Sequence, residues 1–152
     1  MIKLTKKQIL NLQKNKPPYL MVDQITKLIP GKISEGYKNL PKNEWFFKVH
    51  WENNPNMPGA LQLESLIQTC SMSIFTMSSS KEDVIYFVEA SNLKFQKKVI
   101  PGMKLILKTK ITQLFRGIAI CEGKGYQNNK LACEAKFKLV LPNELNKYRI
   151  KN

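Results

Sequence analysis

In a chain of 152 residues that carries 23 Lys, residues 57–80 contain no Lys and a single carboxylate, Glu64. A stretch that avoids charge in so basic a protein is expected to be surrounded by protein. Within it Ala60, Leu63, Ile67, Cys70, Ile74 and Met77 recur at spacings of three and four, which marks one apolar helical face, with Leu61 and Leu66 as apolar flanks outside that face. Gln62, Glu64, Gln68 and several Ser in the same run argue against a lipid-facing span, so no membrane insertion is expected. The chain is expected to be built around one buried helix.

The flanking segments follow other periods. Residues 5–14 suit a short helix with Ile9, Leu10 and Leu12 inward, stopped by Lys16-Pro17-Pro18. Residues 19–29 and 32–39 read as antiparallel strands joined at Pro30-Gly31, and residues 44–50 as an aromatic turn of helix or a loop. From residue 84 the period is two, giving strands at 84–95, 103–115, 118–126 and 131–141. Pro101-Gly102, Arg116-Gly117 and Asn128-Asn129 supply turn chemistry between them. Two strands, one buried helix and four alternating strands are satisfied by an α+β hotdog arrangement, a curved antiparallel sheet wrapped around one long central helix.

Composition sets further bounds. At 43% hydrophobic and 24% charged, with no linker or repeat, residues 1–152 are expected to form a single domain. The N-terminal residues alternate Lys with apolar side chains and lack the apolar run of a secretory signal. Cys70, Cys121 and Cys133 are too few and too scattered for a disulfide framework or a zinc knuckle, so a cytoplasmic setting and no metal are expected. The net charge of +14 comes almost wholly from Lys, with Arg116 and Arg149 the only arginines. Sequence-specific nucleic-acid binding leans on Arg and is not expected; the charge is read as solvation or as a field that attracts an acidic partner.

His50 is the single histidine and so the one side chain whose free pKa, about 6.5, suits proton transfer at neutral pH. Glu64 is the sole acid of the buried helix, where it serves either as a helix-dipole partner or as a carboxyl kept protonated by burial. Gln68 lies four residues on, on the same face, in position to orient it. Gly59, at the start of the helix, is either a turn residue or a backbone N–H that binds developing negative charge. Cys70 sits on the apolar stripe and is read as core packing.

The segment Phe47-Lys-Val-His50-Trp-Glu-Asn-Asn-Pro55-Asn-Met57-Pro58-Gly59-Ala-Leu-Gln-Leu-Glu64-Ser-Leu-Ile-Gln68 resembles the signature of the 3-hydroxyacyl-[acyl-carrier-protein] dehydratases. That pattern is a His, a Pro-x-Met-Pro-Gly loop, then Leu-x-x-Glu-x-x-x-Gln. Pro17-Pro18-Tyr19-Leu20-Met21-Val22-Asp23 and Leu93-Lys-Phe95-Gln-Lys-Lys-Val99-Ile-Pro101-Gly102 are similar to two further family segments in the same order, so the likeness spans about 17–141. The family usually carries Gly before the His and Phe-Pro after it. This chain has Val49 and Trp51-Glu52, which marks a divergent member with a reshaped pocket.

The resemblance implies dehydration of a 3-hydroxyacyl thioester to the trans-2-enoyl thioester, with His50 as base and Glu64 as acid. Gly59 would hold the thioester carbonyl, Gln68 would position Glu64, and Trp51 and Phe95 would line the substrate site. It implies no metal or organic cofactor, and a homodimer, extending to a trimer of dimers, in which His and Glu of one site come from different subunits. The partner is an acidic acyl carrier protein whose phosphopantetheine carries the acyl chain, with Lys94, Lys97 and Lys98 as its docking residues. Two other readings stay open: a hotdog thioesterase using Glu64 to activate water, and a non-catalytic acyl-binding subunit.

Overall fold

The computed structural model describes residues 1–80 and 82–150. Its elements run β1 (Ile2–Leu4), α1 (Lys6–Leu12), β2 (Gln24–Ile29), β3 (Ile33–Lys38), α2 (Trp45–Val49), α3 (Gly59–Phe75), β4 (Tyr86–Phe95), β5 (Leu105–Phe115), β6 (Ile118–Gln127), β7 (Lys130–Val140) and α4 (Pro142–Asn146). The strands form one antiparallel sheet in the order β1-β2-β3-β5-β6-β7-β4. This is the expected hotdog arrangement, with α3 packed on β3, β5, β6 and β7.

Helix α3 is buried through most of its length, and its polar residues explain how. Ser65, Ser71, Ser73 and Thr76 donate their hydroxyls back to carbonyls of their own helix at 2.8–2.9 Å, so burial strands few donors. The helix stops at Phe75 rather than Ser80. Its C-cap Thr76 is followed by Ser78, Ser79 and Ser80, residues that compete for backbone hydrogen bonds and favour turns. The apolar face also differs from the expected one. Leu66 is fully buried and faces Gly123 of β6, where an added Cβ would lie 3.2 Å from its side chain, whereas Ala60 is exposed.

The hairpins form where turn chemistry requires them. Arg116-Gly117 and Asn128-Asn129 all have positive φ, the two-residue geometry that matches strand twist. The strand expected from residue 19 begins only at Gln24, because Tyr19 closes a turn on Lys16 and the backbone of Tyr19 and Met21 bonds to Gln68 of α3 rather than to a strand. β1 and α4 were not expected: three residues of β1 are too short for a periodic signal, and α4 opens on Pro142, which reads as a stop.

Two features position the rest. Lys38, whose side chain is 7% exposed, bridges Asp23 at 3.4 Å and Glu44 at 3.2 Å, and Lys6 reaches Asp23 from the other side at 3.0 Å. This network ties α1, β2, β3 and the entry to α2 together. At the far edge of the sheet β4 has one unpaired side, and it exposes Tyr86, Phe87, Val88, Leu93 and Phe95.

Candidate active site

Helix α2 delivers His50. Glu44 caps it by accepting from the Trp45 N–H, buried Phe46 and Phe47 anchor it, and His50 is its C-cap, donating its backbone N–H to the Phe46 carbonyl at 3.0 Å. The His50 Nδ1 lies 2.9 Å from the Asn56 carbonyl oxygen. A carbonyl only accepts, so in the neutral ring Nδ1 carries the proton and Nε2 keeps its lone pair, as a base requires. The imidazole stacks on Trp51, with centroids 4.8 Å apart and planes at 18°.

Helix α3 delivers Glu64. Gln68 Nε2 donates to Glu64 Oε1 at 2.8 Å and to the Tyr19 carbonyl at 2.9 Å, while its Oε1 accepts from the Met21 N–H at 2.8 Å. All three contacts agree on one orientation of the amide. Burial holds the Glu64 carboxyl above the usual range; hydrogen bonds from Gln68 and from the Tyr19 side chain pull the other way without cancelling it. The Tyr19 phenol is itself raised, by burial first and then by the Glu64 charge and hydrogen bond. Nothing in residue type marks Tyr19 in the sequence; its position straight after Pro17-Pro18 is the available signal.

The raised Glu64 carboxyl has a consequence for stability. A carboxyl that is harder to ionise folded than unfolded favours the fold below the unfolded pKa and opposes it as pH rises through the folded value. Glu64→Gln, whose amide oxygen can still accept from Gln68, is therefore expected to melt at a higher temperature than the wild type at pH 8. The gap is expected to close below about pH 4, where both states of the wild type are protonated. Melting curves across that range check it; a variant less stable than the wild type at pH 8 would contradict the sign.

A cavity of about 240 Å³ lies between α3, residues 13–15 and residues 83–87, and Glu64, Gln68, Ile67, Ser71, Met72 and Phe75 form its α3 wall. His50 does not line it. Gly59 opens α3, and an added Cβ there would meet the Phe95 ring at 2.7–3.0 Å, so Phe95 covers the helix start and leaves space for glycine alone. The fold thus makes three groups: Glu64 with Gln68 and Tyr19, Gly59 with Phe95, and His50 with Trp51.

Of the three lysines, Lys94 pairs across the strands with Glu134 at 3.9 Å, while Lys97 and Lys98 are exposed. They precede Val99, whose carbonyl accepts from the Met57 N–H at 2.8 Å, so this basic segment adjoins the loop that leads into α3. Cys70 is fully buried, as core packing requires, and hydrogen-bonds Cys121, whose thiol is pushed well up by that bond and by burial. Among the described residues no group of three His, Cys, Asp or Glu side chains could hold a metal, and no helix is long and apolar enough to cross a membrane.

Residues 14–136 match the family model of the FabA-like domain. The chain belongs to this family. It is 38% identical to the 3-hydroxyacyl-[acyl-carrier-protein] dehydratase FabZ of Alkaliphilus metalliredigens over 128 residues, 83% of this chain and 87% of that protein. It is 37% identical to the FabZ dehydratase of Haemophilus ducreyi over 130 residues, 84% of each. Among solved structures, the dehydratase heterocomplex ApeI:P from Xenorhabdus doucetiae superposes with a TM-score of 0.73 at 10% identity, covering 91% of this chain and 95% of that one. Protein PH1136 of Pyrococcus horikoshii gives 0.67 at 18% identity, covering 93% and 95%. These two structural likenesses establish the shared hotdog fold alone. The FabA-like match leaves β1, α1 and α4 outside it.

Proposed function

We propose that this FabA-like protein is a cytoplasmic hydro-lyase. It converts a 3-hydroxyacyl thioester on acyl carrier protein into the trans-2-enoyl thioester and water, within fatty-acid or related acyl-chain synthesis. The observation that carries this reading is Glu64: a carboxyl biased toward its protonated form, held in one orientation by Gln68, on the wall of a cavity. That is the equipment of a general acid.

His50 Nε2 takes a proton from C2 of the substrate, Glu64 gives its proton to the departing C3 hydroxyl, and the C–H electron pair becomes the C2–C3 double bond. The Gly59 N–H, one of the amides left without an acceptor at a helix start, stabilises the charge that builds on the thioester carbonyl. His50 and the Glu64 cavity are separate within one chain, which supports a homodimer in which each cavity receives the partner's histidine; a trimer of such dimers is the next level of assembly. The unpaired, apolar edge of β4 is the surface available for joining two copies. Lys97 and Lys98, with Lys94 beside them, lie near the α3 entry and suit an acidic carrier protein whose phosphopantetheine reaches the cavity.

The test is direct. Purified protein given 3-hydroxyacyl-carrier-protein substrates of several chain lengths is expected to form the enoyl product with no release of free thiol. Thiol release without enoyl product would make it a thioesterase, and neither activity at any chain length would make it an acyl-binding subunit.

A further inference from the structure

Among the described non-glycine residues with positive φ, three are Asn, one is the turn residue Arg116, and one is Trp51 at φ 56°. Asn tolerates the left-handed region; a bulky aromatic there is a genuine outlier, held against its own steric preference. Trp51 follows the C-cap of α2, the place where a chain leaving a helix commonly uses Gly or Asn to make this same turn. Its carbonyl accepts from the Asn54 N–H at 2.7 Å, closing a tight turn that has no evident need of an indole.

Packing does not account for the ring either. Within its own chain Trp51 is 63% exposed, so packing in the protomer contributes little to holding it there. What the left-handed backbone achieves is to lay the indole flat on His50. Among the described residues the imidazole has one polar anchor, Nδ1 to the Asn56 carbonyl. A single hydrogen bond leaves the ring free to tilt about that contact, and a flat surface against its face removes the freedom.

We infer that Trp51 is a positioning residue: its strained backbone holds the indole against His50 so that the ring plane, and with it the direction of Nε2, is fixed before substrate arrives. This deepens the dehydratase reading and rests on it for its catalytic consequence. It adds a role to the expectation that Trp51 lines the substrate site. Strain of this kind persists where the surrounding structure over-determines it, and functional sites are where it collects.

The inference gives effects of opposite sign in one variant. Trp51→Asn removes the ring and suits the left-handed turn. It is expected to raise the melting temperature by about 2–6 °C and to lower kcat by about 10–100-fold with KM little changed. Trp51→Phe keeps a ring on the imidazole and is expected to retain most of kcat at a melting temperature near the wild type. Because His50 is the only histidine, its two ring C–H resonances are also assignable at once by NMR. They are expected upfield in the wild type from the indole ring current, and downfield in Trp51→Asn.

Unchanged histidine resonances in Trp51→Asn would overturn the inference, as would an unchanged kcat or a rise in KM alone. A wild type that forms no enoyl product would sink the dehydratase reading instead, and the NMR comparison would still decide whether Trp51 holds the ring.

Discussion

His50→Ala and Glu64→Gln are each expected to lower the dehydration rate by about 10²–10⁴-fold, the range supplied by a positioned acid or base. Mixing the two inactive variants is expected to restore activity. If each cavity takes its glutamate from one chain and its histidine from the other, a mixed dimer has one site with both residues altered and one with both intact. Random pairing of equal amounts makes half the dimers mixed, so about a quarter of the wild-type activity returns. The measurement is enoyl formation after the two variants are co-expressed, or unfolded and refolded together. If both residues of a site belonged to one chain, the mixture would be no more active than its components, and the two-subunit site would be wrong. The gain on mixing is diagnostic because neither variant can improve by refolding alone.

Lys38→Met is expected to destabilise the protein by about 3–5 kcal/mol, the cost of breaking a buried charge network by removing one member, and so to lower the melting temperature by about 6–20 °C. The Lys38 ammonium stands between the carboxylates of Asp23 and Glu44, and no other cation reaches Glu44 among the ion pairs of the described residues. Methionine would fill the space and leave two acids without their shared counter-ion. The triple variant Lys38→Met, Asp23→Asn, Glu44→Gln is expected to recover most of the loss, since it removes the charges together and keeps an acceptor for the Asn39 N–H that Asp23 now serves at 2.8 Å. Activity is expected to suffer in the single variant beyond what stability explains, because Glu44 also caps the short helix that carries His50. A single variant within about 1 kcal/mol of the wild type would mean that the network contributes as little as surface pairs do.

Much of this was legible in the residues. The lack of Lys around Glu64 marked the central helix, because a helix enclosed by sheet cannot solvate ammonium groups; period-two runs marked β5, β6 and β7; and Asn128-Asn129 and Arg116-Gly117 marked their turns by the backbone they permit. The end of α3 is not legible, because the absence of charge continues through Ser78–Ser80 after the helical hydrogen bonds have stopped. Leu66 falls outside the expected apolar face because a stripe at spacings of three and four describes one packing surface. A helix with sheet around it buries more than one stripe. At the site, His50, Glu64 and Gln68 are visible from type and spacing. Tyr19 and the Trp51 stack are not, since the first depends on contact with Glu64 across a long stretch of intervening chain and the second on a left-handed bend that no residue near Trp51 announces.

The naked margin of the sheet has a consequence outside catalysis. Its ten residues from Tyr86 to Phe95 hold no proline and only two charges, Glu89 and Lys94, and its protection rests on the two register shifts in its pairing with β7. A solitary copy therefore leaves an apolar border uncovered. If that border is where the two copies of the proposed dimer join, heat resistance is expected to climb with the protein's own concentration, which melting curves over a dilution series check.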